Sequence, residues 1–230
     1  MAAESFLTSS LMSRIPGVIH GFGTRAKPAP EVLAAHWDDR PTWKQVHGVR
    51  SVEITGPKQA AGDTDGLFTR KKNIPIAAIS ADCVPILLAK ADASVVASVH
   101  AGWRGTQACA VQALWLSILD SSAELGIEEK TKNWVAAIGP SIGPCCYETS
   151  PEIAQDFLGE YGTRGVPKHR HLNLAEINKI QLEQLGFRAI EIIPYCTRCA
   201  KLEGDSDFSF HSYRREKKNG IWQYSAIQLA

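Results

Sequence analysis

The chain has 230 residues, of which 44% are hydrophobic and 21% are charged, a balance typical of a globular protein that buries a sizeable core. Its 25 basic and 24 acidic residues leave a formal net charge of +1, which argues against binding to nucleic acid or to anionic lipid through electrostatics. The sequence has neither a long apolar stretch that predicts a membrane span nor the pattern of a secretory signal, so a soluble cytoplasmic protein is expected.

Short apolar segments rich in valine and isoleucine predict strands of a sheet that is covered on at least one face. In chain order these segments are Val18–Phe22, Ser51–Thr55, Ile74–Ser80, Val84–Ala89, Ser94–His100, Trp134–Gly139, Arg188–Ile193 and Ile221–Ile227. The proline-containing segment Ala26–Glu31 is expected to be a surface loop, because it is too short to separate domains. Residues 1–230 are therefore predicted to form a single domain.

Helical spacing of apolar residues predicts helices between these strands. They are Gln107–Ser121, a helix opened by Ser150 and Pro151, and Asn173–Leu185. Thr106 is the candidate N-cap of the first helix, and Gly186 is the candidate C-terminal cap of the third. Strands and helices mix without strict alternation, so we predict an α/β fold of the α+β type, with mixed β-sheets in a layered sandwich flanked by helices.

Three potential metal ligands, His47, Cys83 and His100, each lie at or near the end of a predicted strand or beside glycine or proline. Two imidazoles and one thiolate leave the fourth position of a tetrahedral ion open, which is typical of catalytic rather than structural zinc. Spacing alone leaves open a buried core histidine and a hydrophobic cysteine instead. We predict a zinc site, with copper as the other possible metal.

Several charged residues are candidates for binding substrate. Arg25 follows a glycine-rich turn, Arg104 lies in a turn that leads into a helix, and Arg214 and Arg215 follow FSFHSY. Guanidinium groups at such positions bind phosphate well, and structural or surface roles remain open for each of them. Asp82 precedes Cys83, and we expect it to support the metal ligands, by a hydrogen bond to a histidine, rather than to act as a base.

The six cysteines are expected to be reduced thiols, with one or two of them bound to metal. Cys145 and Cys146 lie in the rigid, glycine- and proline-rich segment Gly139–Tyr147, which is a candidate wall of the pocket. Because these two cysteines are adjacent, they are not expected to face one metal together and are interpreted as packing residues. Cys196 and Cys199 form a CxxC pair without a second such pair, so a structural role is favoured over redox or zinc chemistry.

Longer strings add a family resemblance that covers nearly the whole chain from His20. They are HGFGTR, KQVHG, ISADCVPILLA, VHAGWRGT, IGPSIGPCCYE and CTRC followed by FSFHSYRRE. These strings resemble the YfiH-type family, which is also called the laccase-domain or polyphenol-oxidase family. The resemblance implies a metal bound by His47, Cys83 and His100, and a zinc-dependent purine nucleoside phosphorylase. Such enzymes act on adenosine, inosine and methylthioadenosine and also deaminate adenosine.

His47, Cys83 and His100, which the resemblance makes metal ligands, and Asp82, which precedes Cys83, are the expected catalytic residues. The predicted reaction is attack of phosphate on the anomeric carbon of the ribose, through a transition state with oxocarbenium character. Arg25, Arg104 and Arg214 are the expected phosphate-binding residues. The expected partners are a purine nucleoside and phosphate, without nucleic acid or membrane, and a monomer is favoured.

This sequence departs from the family pattern at three places. The segment Ala26–Lys44 is shorter than usual, and Ile221 and Trp222 replace a Gly-Arg pair near the end. Cys109 replaces a residue that is often small and is expected to pack within a helix. His20 opens the first string, and core packing is its expected role.

Other functions remain open from the sequence. A copper-dependent polyphenol oxidase would be laccase-like, but two methionines and seven histidines are few for a multi-copper system. A hydrolase acting in peptidoglycan editing would use Cys83 as the nucleophile and His100 or His47 as its base. A non-enzymatic binding module is disfavoured, because a purely structural site has no need of an open coordination position.

Overall fold

The computed structural model describes residues 6–218 and 220–230. Residues 1–5 and Asn219 lie outside the described residues. The prediction that the chain begins without a secretory signal falls partly on residues 1–5. Strands β1 to β12 span Phe6–Leu7, Val18–Gly23, Thr42–Lys44, Ser51–Ile54, Ala60–Asp63, Gly66–Thr69, Ile76–Ser80, Val84–Lys90, Val96–Ala101, Trp134–Ile138, Ala189–Ile192 and Gln223–Leu229. Helices α1 to α5 span Trp103–Gln107, Ala110–Glu124, Pro151–Gly165, Leu174–Gln184 and Tyr213–Glu216, and short 3₁₀ helices span Met12–Arg14, Glu31–Asp39 and Thr131–Asn133.

The strands form two large sheets and one small one. A four-stranded antiparallel sheet has the order β1-β2-β12-β7, and a six-stranded sheet has the order β11-β10-β8-β9-β6-β4. The six-stranded sheet is mixed, because its two outer pairs are parallel and its inner pairs antiparallel. Strands β3 and β5 pair in parallel as a separate ribbon. The predicted α/β fold with mixed, layered sheets is confirmed.

Strand β8 lies at the centre of the layers and shows how they are held together. Alternate side chains of a strand point to opposite faces, so Ile86 and Leu88 pack in the core beneath α2, α3 and α4. Leu87 and Ala89 pack in a second core, between the two large sheets. Because both faces of β8 are covered, its sequence is a nearly continuous apolar run. The layers are therefore helices, then the six-stranded sheet, then the four-stranded sheet.

Each of the predicted strands is present, with ends that lie within two residues of the predicted ends. The sequence did not predict β1, β3, β5 and β6, which have two to four residues each. These short segments contain no valine or isoleucine, the residues that marked the predicted strands. The loop predicted at Ala26–Glu31 is present up to the 3₁₀ helix that begins at Glu31, and Ala26 is exposed.

The predicted helix at Gln107–Ser121 is wrong in one respect, because two helices, α1 and α2, occupy this region. Thr106 lies inside α1 and does not cap α2; its carbonyl accepts a hydrogen bond from the side chain of Gln181 (2.8 Å). Cys109 lies at the break with a left-handed backbone (φ 57°), and therefore does not pack within a helix as expected. Hydrogen bonds from α4 to the end of α1 thus favour a turn that helical spacing cannot reveal.

The predicted ends of the other helices are confirmed. Ser150 Oγ accepts a hydrogen bond from the Ile153 N–H (3.4 Å), and Pro151 is the first residue of α3. Gly186 follows α4 with a positive φ of 97°, where a side chain would be strained. In the described parts of the chain, no helix combines the length and hydrophobicity needed to cross a membrane.

Candidate metal centre

The three predicted metal ligands come from different parts of the fold. His47 lies in the loop between β3 and β4, Cys83 in the turn between β7 and β8, and His100 in β9. Strand β7 belongs to the four-stranded sheet and β8 to the six-stranded sheet, so Cys83 lies where the chain crosses from one to the other. The antiparallel pairing of β8 with β9 sets Pro85 opposite His100 and thereby brings Cys83 close to it.

The donor atoms of these side chains converge on one point. One ligand atom from each of His47, Cys83 and His100 lies within 4.8 Å of the other two. Cys83 Sγ is 3.9 Å from His47 Nε2, and the two imidazole rings meet nearly edge to face, with centroids 4.9 Å apart. Thiolate and imidazole are the donors preferred by zinc and copper, so the set fits a transition-metal ion.

Gly102 closes the protein side of this centre. A Cβ atom at this position would lie 2.9 Å from Cys83 Sγ and 3.0 Å from His47 Cδ2, closer than packed atoms allow. His100 is 3% exposed, whereas His47 is exposed, so the centre opens towards solvent on the His47 side. The geometry therefore shows three donors around a space that glycine keeps free, with one accessible side.

Asp65 fixes two of the three ligands, and the sequence did not predict it. Its Oδ1 lies 2.8 Å from His100 Nδ1, so Nε2 is the nitrogen of His100 that a metal would bind in place of a proton. The same carboxylate accepts hydrogen bonds from the backbone N–H groups of Val46 (3.1 Å), His47 (3.0 Å) and Gly48 (2.8 Å). The strained backbone of His47 (φ 59°) is thus held in place by the residue that orients His100.

Charge within the cluster favours a thiolate at Cys83. Burial alone would raise the pKa of the Cys83 thiol, but the charges and hydrogen bonds of His100 and His47 outweigh it and lower the pKa to about 6. Burial opposes protonation of His100, but Cys83 and Asp65 together raise its pKa to about 9. The centre therefore carries a ready anionic sulfur ligand at neutral pH.

Asp82 does not contact the metal-ligand histidines as we expected. Its Oδ1 accepts a hydrogen bond from Thr197 Oγ1 (2.7 Å), and its Oδ2 accepts one from the Arg214 N–H (2.7 Å). The residue is buried and has a positive φ of 101°, which an aspartate adopts only with support from its surroundings. The predicted histidine contact belongs to Asp65 instead, because the turn before Cys83 directs the Asp82 carboxylate towards the C-terminal loops.

Two of the predicted phosphate ligands, Arg214 and Arg104, lie near Tyr147. The Arg214 guanidinium stacks over the Tyr147 ring (5.2 Å) and donates to the Glu148 carbonyl (3.0 Å). Arg104 is exposed on α1, 4.5 Å from the Trp103 ring centroid. Burial and the charge of Cys83 raise the pKa of Tyr147 to about 12, against the opposing effect of both arginines. Tyr147 therefore lies within electrostatic reach of all three groups, in the loop predicted to line the pocket.

The other charged candidates have protein partners. Arg25 forms ion pairs with Asp207 (3.3 Å) and Glu216 (3.4 Å). Arg215 donates to the carbonyls of Thr197 (3.0 Å) and Arg198 (2.7 Å), so it is a structural residue of the C-terminal loops.

The core-packing role predicted for His20 is confirmed. The residue is buried, and its Nε2 accepts a hydrogen bond from the Ser9 N–H (2.8 Å). Burial lowers its pKa to about 4, so the ring is neutral in the folded protein.

The expectation that Cys145 and Cys146 would not face a common point is wrong. Their sulfur atoms lie within 4.8 Å of each other and of those of Cys196 and Cys199. A turn at residues 143–146 reverses the chain, so that side chains of adjacent residues reach the same place.

Comparisons with known proteins show the family to which the chain is similar. A family model described as multi-copper polyphenol oxidoreductase laccase matches residues 28–230. A purine nucleoside phosphorylase YfiH from Shigella flexneri is 30% identical over 81% of this chain and 73% of its own length. A purine nucleoside phosphorylase from Mycobacterium tuberculosis is 31% identical over 79% of this chain and 70% of its own.

Solved structures share the fold along the whole chain. A hypothetical protein YfiH from Bacillus licheniformis superimposes with a TM-score of 0.77 at 24% identity, over 100% of this chain and 98% of that one. YlmD from Geobacillus stearothermophilus also has a TM-score of 0.77, at 23% identity, over 100% and 97% of the two chains.

Proposed function

The chain belongs to the family described as multi-copper polyphenol oxidoreductase laccase, and on that premise we propose that it is a zinc-dependent purine nucleoside phosphorylase. One observation carries the proposal: His47, Cys83 and His100 converge on a point that has an accessible side. Three protein ligands with an open position are typical of catalytic zinc. Relatives named purine nucleoside phosphorylase support the substrate class. The proposed substrates are adenosine, inosine and methylthioadenosine.

In this proposal His47, Cys83 and His100 would hold the zinc ion, with Asp65 fixing both histidines. When bound, zinc supplies Lewis acidity, which polarises a substrate hydroxyl or a water molecule. A phosphate oxygen attacks C1′ of the ribose, the bond from C1′ to the purine nitrogen breaks, and the departing base takes up a proton.

The arginines near Tyr147 would bind the attacking phosphate. We assign the main contacts to Arg214 and Arg104, because both lie within electrostatic reach of Tyr147, as Cys83 does. Arg25 is the weaker candidate, since phosphate would have to compete with Asp207 and Glu216 for its guanidinium. Tyr147 keeps its proton at neutral pH, and its hydroxyl can donate a hydrogen bond to the substrate.

Asp82 would act as a positioning residue. It accepts the Arg214 N–H and the Thr197 hydroxyl, and so fixes the start of α5 against the turn that carries Cys83. Direct base chemistry is not required of it in this mechanism.

The proposal is tested by incubating the purified protein with adenosine, with and without phosphate. We expect phosphate-dependent release of adenine and ribose 1-phosphate. We also expect formation of inosine at the same centre, as water attacks C6 and the amino group leaves as ammonia. Cys83→Ala should lose both activities together with the metal, whereas Cys109→Ala, a cysteine at the α1–α2 junction, should keep them. Full activity in metal-free Cys83→Ala would exclude a metal-centred reaction.

A second candidate function is hydrolysis by a cysteine nucleophile. His100 interacts with Cys83 on one side and with Asp65 on the other, as the histidine of a Cys–His–Asp triad does. The lowered pKa of Cys83 would suit a nucleophile. An amide of peptidoglycan is the proposed substrate class. Iodoacetamide labelling distinguishes the two functions, because zinc should protect Cys83 from alkylation, whereas a nucleophilic thiolate should react at once.

Copper-dependent oxidation of phenols is the function suggested by the family description. Metal analysis of protein purified without added metal, together with a phenol oxidase assay, tests it. Copper at one equivalent per chain with oxidase turnover would favour this function, and zinc without oxidase turnover would favour phosphorolysis.

A further inference from the structure

Four of the remaining cysteines form a cluster, and two of them lie in the loop that carries Tyr147. Cys145 and Cys146 belong to the turn after β10, and Cys196 and Cys199 to the turn after β11. One sulfur from each lies within 4.8 Å of the other three, and Cys145 Sγ is 3.7 Å from Cys199 Sγ. None of them is a ligand of the centre described above.

We propose that Cys145, Cys146, Cys196 and Cys199 bind a second zinc ion, as a closed tetrathiolate site with a structural role. The geometry fits this ion well. Sulfurs at about 2.3 Å from a tetrahedral zinc are separated by about 3.8 Å, close to the observed distance between Cys145 and Cys199. A disulfide needs sulfurs about 2.05 Å apart, much closer than these.

The backbone around the cluster is arranged as it is around bound thiolates. The Gly143 N–H donates a hydrogen bond to Cys196 Sγ (3.3 Å). The Cys196 carbonyl accepts the N–H groups of Cys199 (3.3 Å) and Ala200 (2.9 Å), and this tight turn directs both sulfurs of the CxxC pair to one side. The Gly143 carbonyl accepts the Cys146 N–H (2.9 Å) in the opposite turn. Two turns thus present two sulfurs each to the same point, the arrangement of structural zinc sites.

The two turns are already joined by backbone contacts. Ser141 and Cys196 form a parallel bridge, and the Thr197 N–H donates to the Ser141 carbonyl (3.0 Å). Thr197, inside the CxxC turn, also donates its hydroxyl to Asp82, the neighbour of Cys83. A metal ion at the cluster would therefore fix the wall of the first centre, through Thr197 on one turn and Tyr147 on the other.

The chemistry of the two sites differs in a way that separates their roles. The first has three donors and an accessible side, whereas the second has four sulfurs, enough to fill the coordination sphere of zinc. No substrate contact is required of the second ion. Its expected effect is on the stability of the loops and on retention of their geometry.

The experiment is metal analysis of the full-length protein purified under reducing conditions without added metal. We expect two zinc ions per wild-type chain, one in the double variant Cys196→Ser/Cys199→Ser, and one in Cys83→Ser. Cys109→Ser serves as the matched control and should keep both. The double variant should also show a lower Tm while still binding metal at the first centre.

Cobalt substitution provides a readout that does not depend on folding of the double variant. A tetrathiolate cobalt site should add intense sulfur-to-metal absorption that persists in Cys83→Ser. One zinc per wild-type chain with no change in the double variant would overturn the proposal. So would an intact-mass loss of two hydrogens showing a Cys145–Cys199 disulfide, or iron with visible absorption in place of zinc. Because no step of the proposed reaction uses the second ion, absence of zinc at this cluster would leave the assay of nucleoside phosphorolysis as a separate test.

Discussion

Asp65 Oδ1 lies 2.8 Å from His100 Nδ1, and the same carboxylate binds the backbone of the loop that carries His47. One buried acid therefore sets both the tautomer of one metal ligand and the strained backbone of another. Carboxylates that orient metal-bound histidines commonly affect metal affinity by 10- to 100-fold. This relationship makes Asp65 the residue whose substitution tests the centre without removing a ligand.

Asp65→Asn should weaken metal binding by about 10- to 100-fold and reduce nucleoside turnover with it. The amide keeps the shape of the side chain, but it cannot accept all three loop N–H groups and the His100 N–H at once. Chelator competition measures the affinity. Asp63→Asn is the control, because this nearby residue is exposed on β5. Equal affinity in the two variants would show that Asp65 does not orient the ligands.

Gly102→Ala should disrupt the centre by steric conflict alone. The backbone at Gly102 (φ −69°) suits alanine, so any effect comes from the Cβ, which would lie 2.9 Å from Cys83 Sγ. Because a shift of about 1 Å in a reacting group can cost about 100-fold in rate, we expect a kcat loss of that order. Gly105→Ala is the control, since its Cβ would meet atoms no closer than 3.5 Å. Circular dichroism should show both variants folded, and unchanged turnover in Gly102→Ala would contradict the geometry.

The proposed phosphate contacts predict an order among three substitutions. Arg214→Ala and Arg104→Ala should each raise the KM for phosphate about tenfold or more, because removing a charged hydrogen-bond partner costs about 1.5–3 kcal/mol. Arg25→Ala should change it least, since Asp207 and Glu216 already occupy this guanidinium. Initial rates at varied phosphate measure the order. A larger rise in the KM for phosphate in Arg25→Ala than in Arg214→Ala would show that phosphate binds near Arg25 instead of near Arg214.

Asp82→Asn should reveal whether Asp82 positions Arg214. The amide oxygen can still accept the Thr197 hydroxyl, but the amide N–H₂ would then face the Arg214 N–H, leaving two donors together. An unsatisfied buried donor costs about 1–3 kcal/mol, which denaturant unfolding should detect. The KM for phosphate should rise more than kcat falls. Asp120→Asn on the exposed side of α2 is the control, and identical unfolding curves for the two variants would refute this role.

The sequence was sufficient to predict the layered α/β fold, because the longer strands are continuous apolar runs covered on both faces. It also identified His47, Cys83 and His100 as candidate metal ligands, since they lie in distinctive strings at strand ends, and the structure brings their donor atoms together. It did not reveal Asp65, which follows a short polar segment and meets His100 only through the pairing of β6 with β9. A metal-bound histidine needs a buried partner, but nothing local identifies which of the 24 acidic residues provides it.

The break between α1 and α2 was hidden for a related reason. Thr106 has the sequence features of an N-cap, but its carbonyl and hydroxyl bind Gln181 and Asn178 from a helix about 70 residues later. The convergence of Cys145 and Cys196 likewise depends on β10 and β11 pairing in parallel, so that the turns after them meet at one edge. Local patterns predicted the elements, and long-range pairing determined which side chains meet.

His20 makes the folded protein sensitive to acid, through a group outside the metal centre. Burial lowers its pKa from 6.5 to about 4, so between these values the unfolded chain binds a proton that the folded protein excludes. The stability from neutral His20 is therefore present above pH 6.5 and is lost as the pH falls towards 4, by up to about 3 kcal/mol.

His20→Gln keeps an acceptor for the Ser9 N–H and removes the titration. Denaturant unfolding at several pH values should show the wild type losing stability relative to His20→Gln between pH 6.5 and pH 4. His169 is exposed, so the free energy of unfolding of the control His169→Gln should change with pH as that of the wild type does. A constant difference between wild type and His20→Gln from pH 7 to pH 4 would show that His20 is not neutral in the fold.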